Sequence, residues 1–137
     1  MRRGGLTVAA VAAIAALIGT FGVSALNAQP AVFKRTVLQR SDLPSTPGRE
    51  VVQVRADFEP GAAAGKHSHP GEEIGYVLSG TLELRLEGKP PLVLKAGDHF
   101  FIPPGVVHDG RNIGKGSASV LTMFIIEKGK PISTPVK

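Results

Sequence analysis

Four side chains able to hold a metal ion fall in two short blocks: His67, His69 and Glu73 in the first, His108 in the second. Neutral imidazoles with one carboxylate make a mixed nitrogen and oxygen set that suits a divalent transition ion. A sequence without cysteine offers nothing to thiolate-seeking ions. On extended backbone, residues two apart leave the same face, so His67 and His69 can serve one ion together. Pro70 and Gly71 then favour a turn that swings Glu73 back toward the pair. The remaining ligand must come from elsewhere, and His108 stands just past Ile102-Pro103-Pro104-Gly105, a corner that aims the next segment inward. An ion of higher coordination number keeps positions open beside four protein ligands, for water, substrate or dioxygen, as a catalytic site requires. The expected cofactor is therefore one divalent transition metal ion, with Zn, Ni, Cu, Fe and Mn all compatible.

The two blocks read G-x5-H-x-H-x3-E-x6-G from Gly61 to Gly80 and G-x5-P-x-G-x2-H-x3-N from Gly97 to Asn112, with sixteen residues between Gly80 and Gly97. Both look like the two motifs of the cupin superfamily. With each residue type at about one in twenty, a chance match at all the fixed positions has a probability of ~10⁻¹³. The chain resembles the small single-domain bacterial cupins described as quercetin-dioxygenase-like, over roughly Phe33 to Lys128. The resemblance implies an all-β fold, a small jelly-roll β-barrel (double-stranded β-helix) with the metal inside. It places the ion on His67, His69, Glu73 and His108, and Gly80, Gly97, Gly105 and Asn112 at turns or loops.

Periodicity leads independently to strands. Thr81 to Glu87 alternates strictly, with Leu82, Leu84 and Leu86 on one face, and reads as half-buried. A turn at Gly88-Lys89-Pro90-Pro91 returns it as Leu92-Val93-Leu94. Upstream, Val52, Val54, Ala56 and Phe58 alternate with polar or small partners. The run Val120 to Ile126 is apolar on both faces and reads as a fully buried strand. No stretch after residue 30 has a helical period.

The N-terminus has another character. Arg2 and Arg3 precede an apolar run from Leu6 to Ile18 in which six of thirteen residues are alanine, and small residues follow up to Ala28. That layout predicts a secretory signal peptide over residues 1–28, cleaved after Ala25 or Ala28, and a periplasmic or secreted product without a membrane span. The competing reading is an uncleaved anchor. Gly4-Gly5 after the paired arginines weaken any twin-arginine export signal. The expected organisation continues with an N-terminal arm at 29–49, the barrel domain at 50–130 and a C-terminal tail at 131–137, proline-broken and suited to an edge. Loss of the leader removes two positive charges and no acid, taking the net charge from +5 to +3. The remaining Lys and Arg are scattered, so nucleic acid is excluded as a partner.

Three further residues are candidates for the substrate pocket. Tyr76 either lines the cavity or packs. Arg111, beside Asn112, is either a surface charge or a clamp for an anion. His99 shares a face with Phe101, opposite to Phe100 and Ile102, and is a proton carrier, a base near substrate or an outward polar residue. Glu72, next to Glu73, points the opposite way. The expected function is an exported metal-dependent oxygenase or isomerase/lyase acting on a small anionic or enolic molecule. A non-catalytic module that binds metal or a small ligand is the alternative. Because one barrel interior covers one face of the Val120 to Ile126 strand, a homodimer is expected to cover the other.

Overall fold

Residues 30–137 are described in a computed structural model, and the leader expected over residues 1–28 lies outside them. Within this range the chain forms ten strands and no helix. They are β1 (Phe33–Asp42), β2 (Arg49–Phe58), β3 (His67–Ser68), β4 (Glu72–Ser79), β5 (Thr81–Leu86), β6 (Leu92–Lys95), β7 (His99–Ile102), β8 (His108–Asn112), β9 (Ala118–Glu127) and β10 (Thr134–Pro135). Two five-stranded sheets result, in the orders β1-β2-β9-β4-β7 and β10-β3-β8-β5-β6, with every paired strand antiparallel. The jelly-roll sandwich expected from the sequence is the fold observed.

Alternation decides what fills the space between the sheets. From β2 come Val52, Val54, Ala56 and Phe58, from β5 Leu82, Leu84 and Leu86, and from β9 Val120, Thr122, Phe124 and Ile126, all buried. The buried apolar residues form two clusters. A larger one contains Phe58, Val77, Leu84, Ile102 and Val120, and a smaller one contains Val52, Val54, Phe124 and Ile126. Glu73 is registered between them, opposite Ile102 on one side and Phe124 on the other. A carboxylate thus sits at the seam of the core, where apolar neighbours give it no hydrogen bonds.

Two elements differ from the sequence reading. The arm at 29–49 contains β1, a ten-residue strand laddered onto β2. Nearly all of β1 is exposed, so it carries no apolar alternation to read, and its main-chain hydrogen bonds hold it at the sheet edge. The second difference is β9, which is buried on one face only: Leu121 and Ile125 are half-buried and Met123 is 36% exposed. Among the described residues its outer face lies against nothing but its strand neighbours.

Turn glycines set the corners that matter to the site. Gly80 joins β4 directly to β5 with a φ of 82°, and a Cβ there would meet the Ala118 backbone at 2.6 Å. Only glycine satisfies both conditions. Asn112 closes the other end of β8. Its Nδ2 donates to the carbonyls of Phe58 and Gly116, at 3.1 and 2.8 Å, while its Oδ1 accepts from the Gly114 N–H at 2.9 Å.

Candidate metal centre

The two sheets each bring part of the centre. His67 on β3 and His108 on β8 are direct cross-strand partners in one sheet, and Glu73 on β4 belongs to the other. His69 lies in the loop between β3 and β4, its ring 4.5 Å from that of Phe124. Gly105 of the Pro-Pro-Gly corner donates its N–H to the carbonyl of His69 at 2.9 Å, which ties the loop before His108 to the segment carrying the other histidines. All four side chains are buried. One ring nitrogen from each of His67, His69 and His108 lies within 4.8 Å of the other two. Glu73 Oε2 is 3.0 Å from His69 Nε2 and 3.2 Å from His108 Nε2.

The Nδ1 atoms fix which ring nitrogen faces inward. His67 Nδ1 lies 2.6 Å from the carbonyl of Gly65, His69 Nδ1 2.6 Å from that of Ile132, and His108 Nδ1 2.9 Å from that of Val106. Carbonyl oxygens only accept, so each Nδ1 carries a proton, and each ring in its neutral form turns an Nε2 lone pair toward the centre. Metal-binding histidines are commonly oriented in this way.

Electrostatics at the centre call for a cation. Burial pushes the His67 pKa down to about 4, against the Gly65 carbonyl and with help from the nearby His108, His69 and Arg35. For Glu73 burial alone would raise the pKa, but His108 and His69 outweigh it and bring it to about 2. With His69 or His108 protonated, or with a cation in the place of that proton, Glu73 is held as an ionised carboxylate. Its Oε2 and the Nε2 of His69 are buried atoms without an aligned hydrogen bond in spite of their closeness. An anionic oxygen facing imidazole lone pairs is stable only with positive charge between them, from a proton on a ring or from a metal ion. The donor set and its orphaned atoms fit a divalent transition ion.

Around the four residues lies a cavity of about 60 Å³ with a mainly apolar wall that includes Phe58, Leu84, Phe100 and Ile102. Tyr76, His99 and Arg111 do not line it. Glu73 and Val77 point inward on β4, so Tyr76 between them points outward, where it pairs across the sheet with the exposed His99. Arg111 alternates with the buried His108 and Asn112 and is exposed as well. Glu72 is half-buried on the opposite face of β4 from Glu73, in an ion pair with Arg49 at 3.0 Å. Arg35 is the cationic residue of the cavity, and no sequence signal marked it. Arg35 on β1 reaches in until its Nη2 is 3.2 Å from His67 Nε2. Its pairing with Ala56 on β2 puts it on the inner face, a parity hidden until β1 itself is located.

Comparison with known proteins agrees with the fold. The Cupin domain family matches residues 54–124, and the chain belongs to that family. Oxalate oxidase GF-3.8 of Triticum aestivum is 32% identical over 109 residues, covering 74% of this chain and 49% of the wheat protein. The structure of an oxalate oxidase in complex with the substrate analogue glycolate superposes with a TM-score of 0.63 at 30% identity, covering 79% of this chain and 57% of that one. The DMSP lyase DddQ of Ruegeria pomeroyi gives a TM-score of 0.57 at 28% identity, over 63% and 43% of the two chains. This chain spans about half the length of the relatives it matches.

Proposed function

We propose that the protein is a metal-dependent cupin enzyme, an oxidoreductase or lyase acting on a small anionic or enolic molecule, with His67, His69, Glu73 and His108 as the ligands of the ion. The observation that carries this reading is the convergence of three imidazole rings and the Glu73 carboxylate on one buried point, with His69 Nε2 and Glu73 Oε2 left there without a hydrogen bond. Relatives that are an oxalate oxidase and a DMSP lyase support both reaction classes. A bound divalent ion would polarise the oxygens of such a ligand and draw negative charge from it.

The chain's own residues supply the setting. The three carbonyl-anchored rings keep their Nε2 atoms aimed at one point, and ionised Glu73 offsets part of an ion's charge. The apolar wall excludes water, which strengthens attraction between ion and anion. Cavity size favours the reacting end of a small acid over a polycyclic ring system.

The leader-like sequence at 1–28 supports export to the periplasm or beyond. The half-covered outer face of β9 supports a homodimer. Metal analysis of the purified protein, followed by oxygen-uptake and elimination assays on small carboxylic acids, tests the reading. It expects one tightly held ion per chain and turnover that chelation abolishes. A stoichiometric ion without turnover of any acid would leave a binding module instead.

A further inference from the structure

Arg35 lies outside the residues that match the cupin family, yet its guanidinium end lines the cavity, while the residue as a whole is exposed on β1. Its strand partner is Ala56, whose side chain is buried, so β1 parity sends Arg35 inward. The guanidinium carbon stands 5.0 Å from the centre of the Phe33 ring. Nη1 donates to the Ser133 hydroxyl at 2.8 Å, and Nη2 donates to the inward lone pair of His67 at 3.2 Å. A long, flexible side chain is thus held from three directions, and the remaining edge of the fork has no protein acceptor among the described residues. No other Lys or Arg lines the cavity.

The contact with His67 gives this placement chemical meaning. The Nη2–H of Arg35 uses the lone pair that a metal ion would need. Once His67 Nε2 is given over to an ion, that N–H loses its acceptor beside a second positive charge. An anionic oxygen between the two cations restores the hydrogen bond and removes the repulsion. The other acid of the lining, Glu83, is paired with Arg85, so with a divalent ion, Arg35 and one ionised Glu73 the cavity still carries excess positive charge in an apolar wall, and a neutral ligand would leave it uncompensated.

We propose that Arg35 is the anion-binding residue of this centre, taking a carboxylate oxygen of a small carboxylic acid and positioning that acid over the metal. Phe33 and Ser133 preorganise its fork. The inference rests on the metal-centre reading above and adds the ligand class and the residue that selects it.

The test uses the full chain loaded with one equivalent of Zn²⁺, with metal content and ligand binding read separately. Glycolate, oxalate and neutral glycolamide are titrated calorimetrically into wild type, Arg35→Gln, Arg35→Lys and Ser133→Ala. All four proteins are expected to hold the ion equally. Loss of one charge-assisted hydrogen bond should weaken glycolate and oxalate at least about tenfold in Arg35→Gln. Arg35→Lys should recover part of that loss, Ser133→Ala should show a smaller loss, and glycolamide should bind no variant better than another. Equal carboxylate affinity in wild type and Arg35→Gln, or no carboxylate binding by metal-loaded wild type, would overturn the role of Arg35. Failure of wild type to hold Zn²⁺ would instead overturn the metal-centre reading on which it rests.

Discussion

His67, His69 and His108 each commit Nδ1 to a backbone carbonyl, so their metal-facing nitrogens are set before any ion arrives. Replacing His69 by alanine should lower metal affinity by roughly 100-fold or more, whereas Glu72→Ala should leave it unchanged. Metal retained after dialysis against a weak chelator measures both, and equal losses would mean that the wrong glutamate has been chosen. Acid stability follows from His67. Its pKa is about 4 in the fold against an ordinary value of 6.5, so between these pH values the unfolded chain takes up a proton that the native centre refuses. The stabilisation is complete above the ordinary value and is lost as pH falls toward about 4. The urea midpoint of the metal-free protein should therefore fall from pH 7 to pH 4.5, and less steeply in His67→Leu. A wild-type midpoint that stays level over that range would contradict the assignment. At this scale sequence and structure meet well, because fixed spacing in two short blocks names the four candidate ligands. Tyr76 was also legible in principle. It is an odd number of residues from Glu73 on one strand, and alternation alone sends it to the other face. Arg35 was not, since an exposed edge strand has no apolar period from which to read its parity.

At the scale of elements, the β3–β4 connection carries His69, runs between His67 on β3 and Glu73 on β4, and is held by a close approach of backbones. Gly71 was read as a turn former, but its φ is not positive. A Cβ on it would run into the carbonyl oxygen of Ile125 on β9. Gly71→Ala should push β4 away from β9, destabilise the fold by about 2–3 kcal/mol and loosen metal binding through Glu73. Denaturant midpoints and metal retention together check this, and a variant as stable as wild type would show that the strand shifts at no cost. The tail has a larger role than edge packing would suggest. Thr134 and Pro135 pair with β3, the Ile132 carbonyl accepts from His69, and the Ser133 hydroxyl accepts from Arg35. Proline punctuation marked the tail as an edge. Its link to the centre depends on a backbone carbonyl, which no side-chain pattern encodes.

For the whole molecule, the β1-β2-β9-β4-β7 sheet turns one face to the core and presents apolar residues on the other. Phe101, Ile74 and Met123 lie side by side across β7, β4 and β9, and Phe101 is 57% exposed. An apolar row of this kind on a sheet centre favours self-association. We expect a dimer at micromolar concentration by light scattering, and a monomer from Phe101→Glu with unchanged metal content, since that side chain points away from the cavity. A monomeric wild type would contradict the dimer. Sequence reading detected two apolar faces on Val120 to Ile126 and took both as buried. The described residues of one chain cover a single face, and the second is what the proposed partner copy would cover.

X-ray absorption at the metal edge of protein loaded with one equivalent of Zn²⁺ tests the central claim most directly. The account predicts a first shell of nitrogen and oxygen at about 2.0–2.2 Å, containing the imidazoles of His67, His69 and His108, with one imidazole lost in His69→Ala. Zn²⁺ that fails to bind stoichiometrically, or a shell unchanged by His69→Ala, would contradict it.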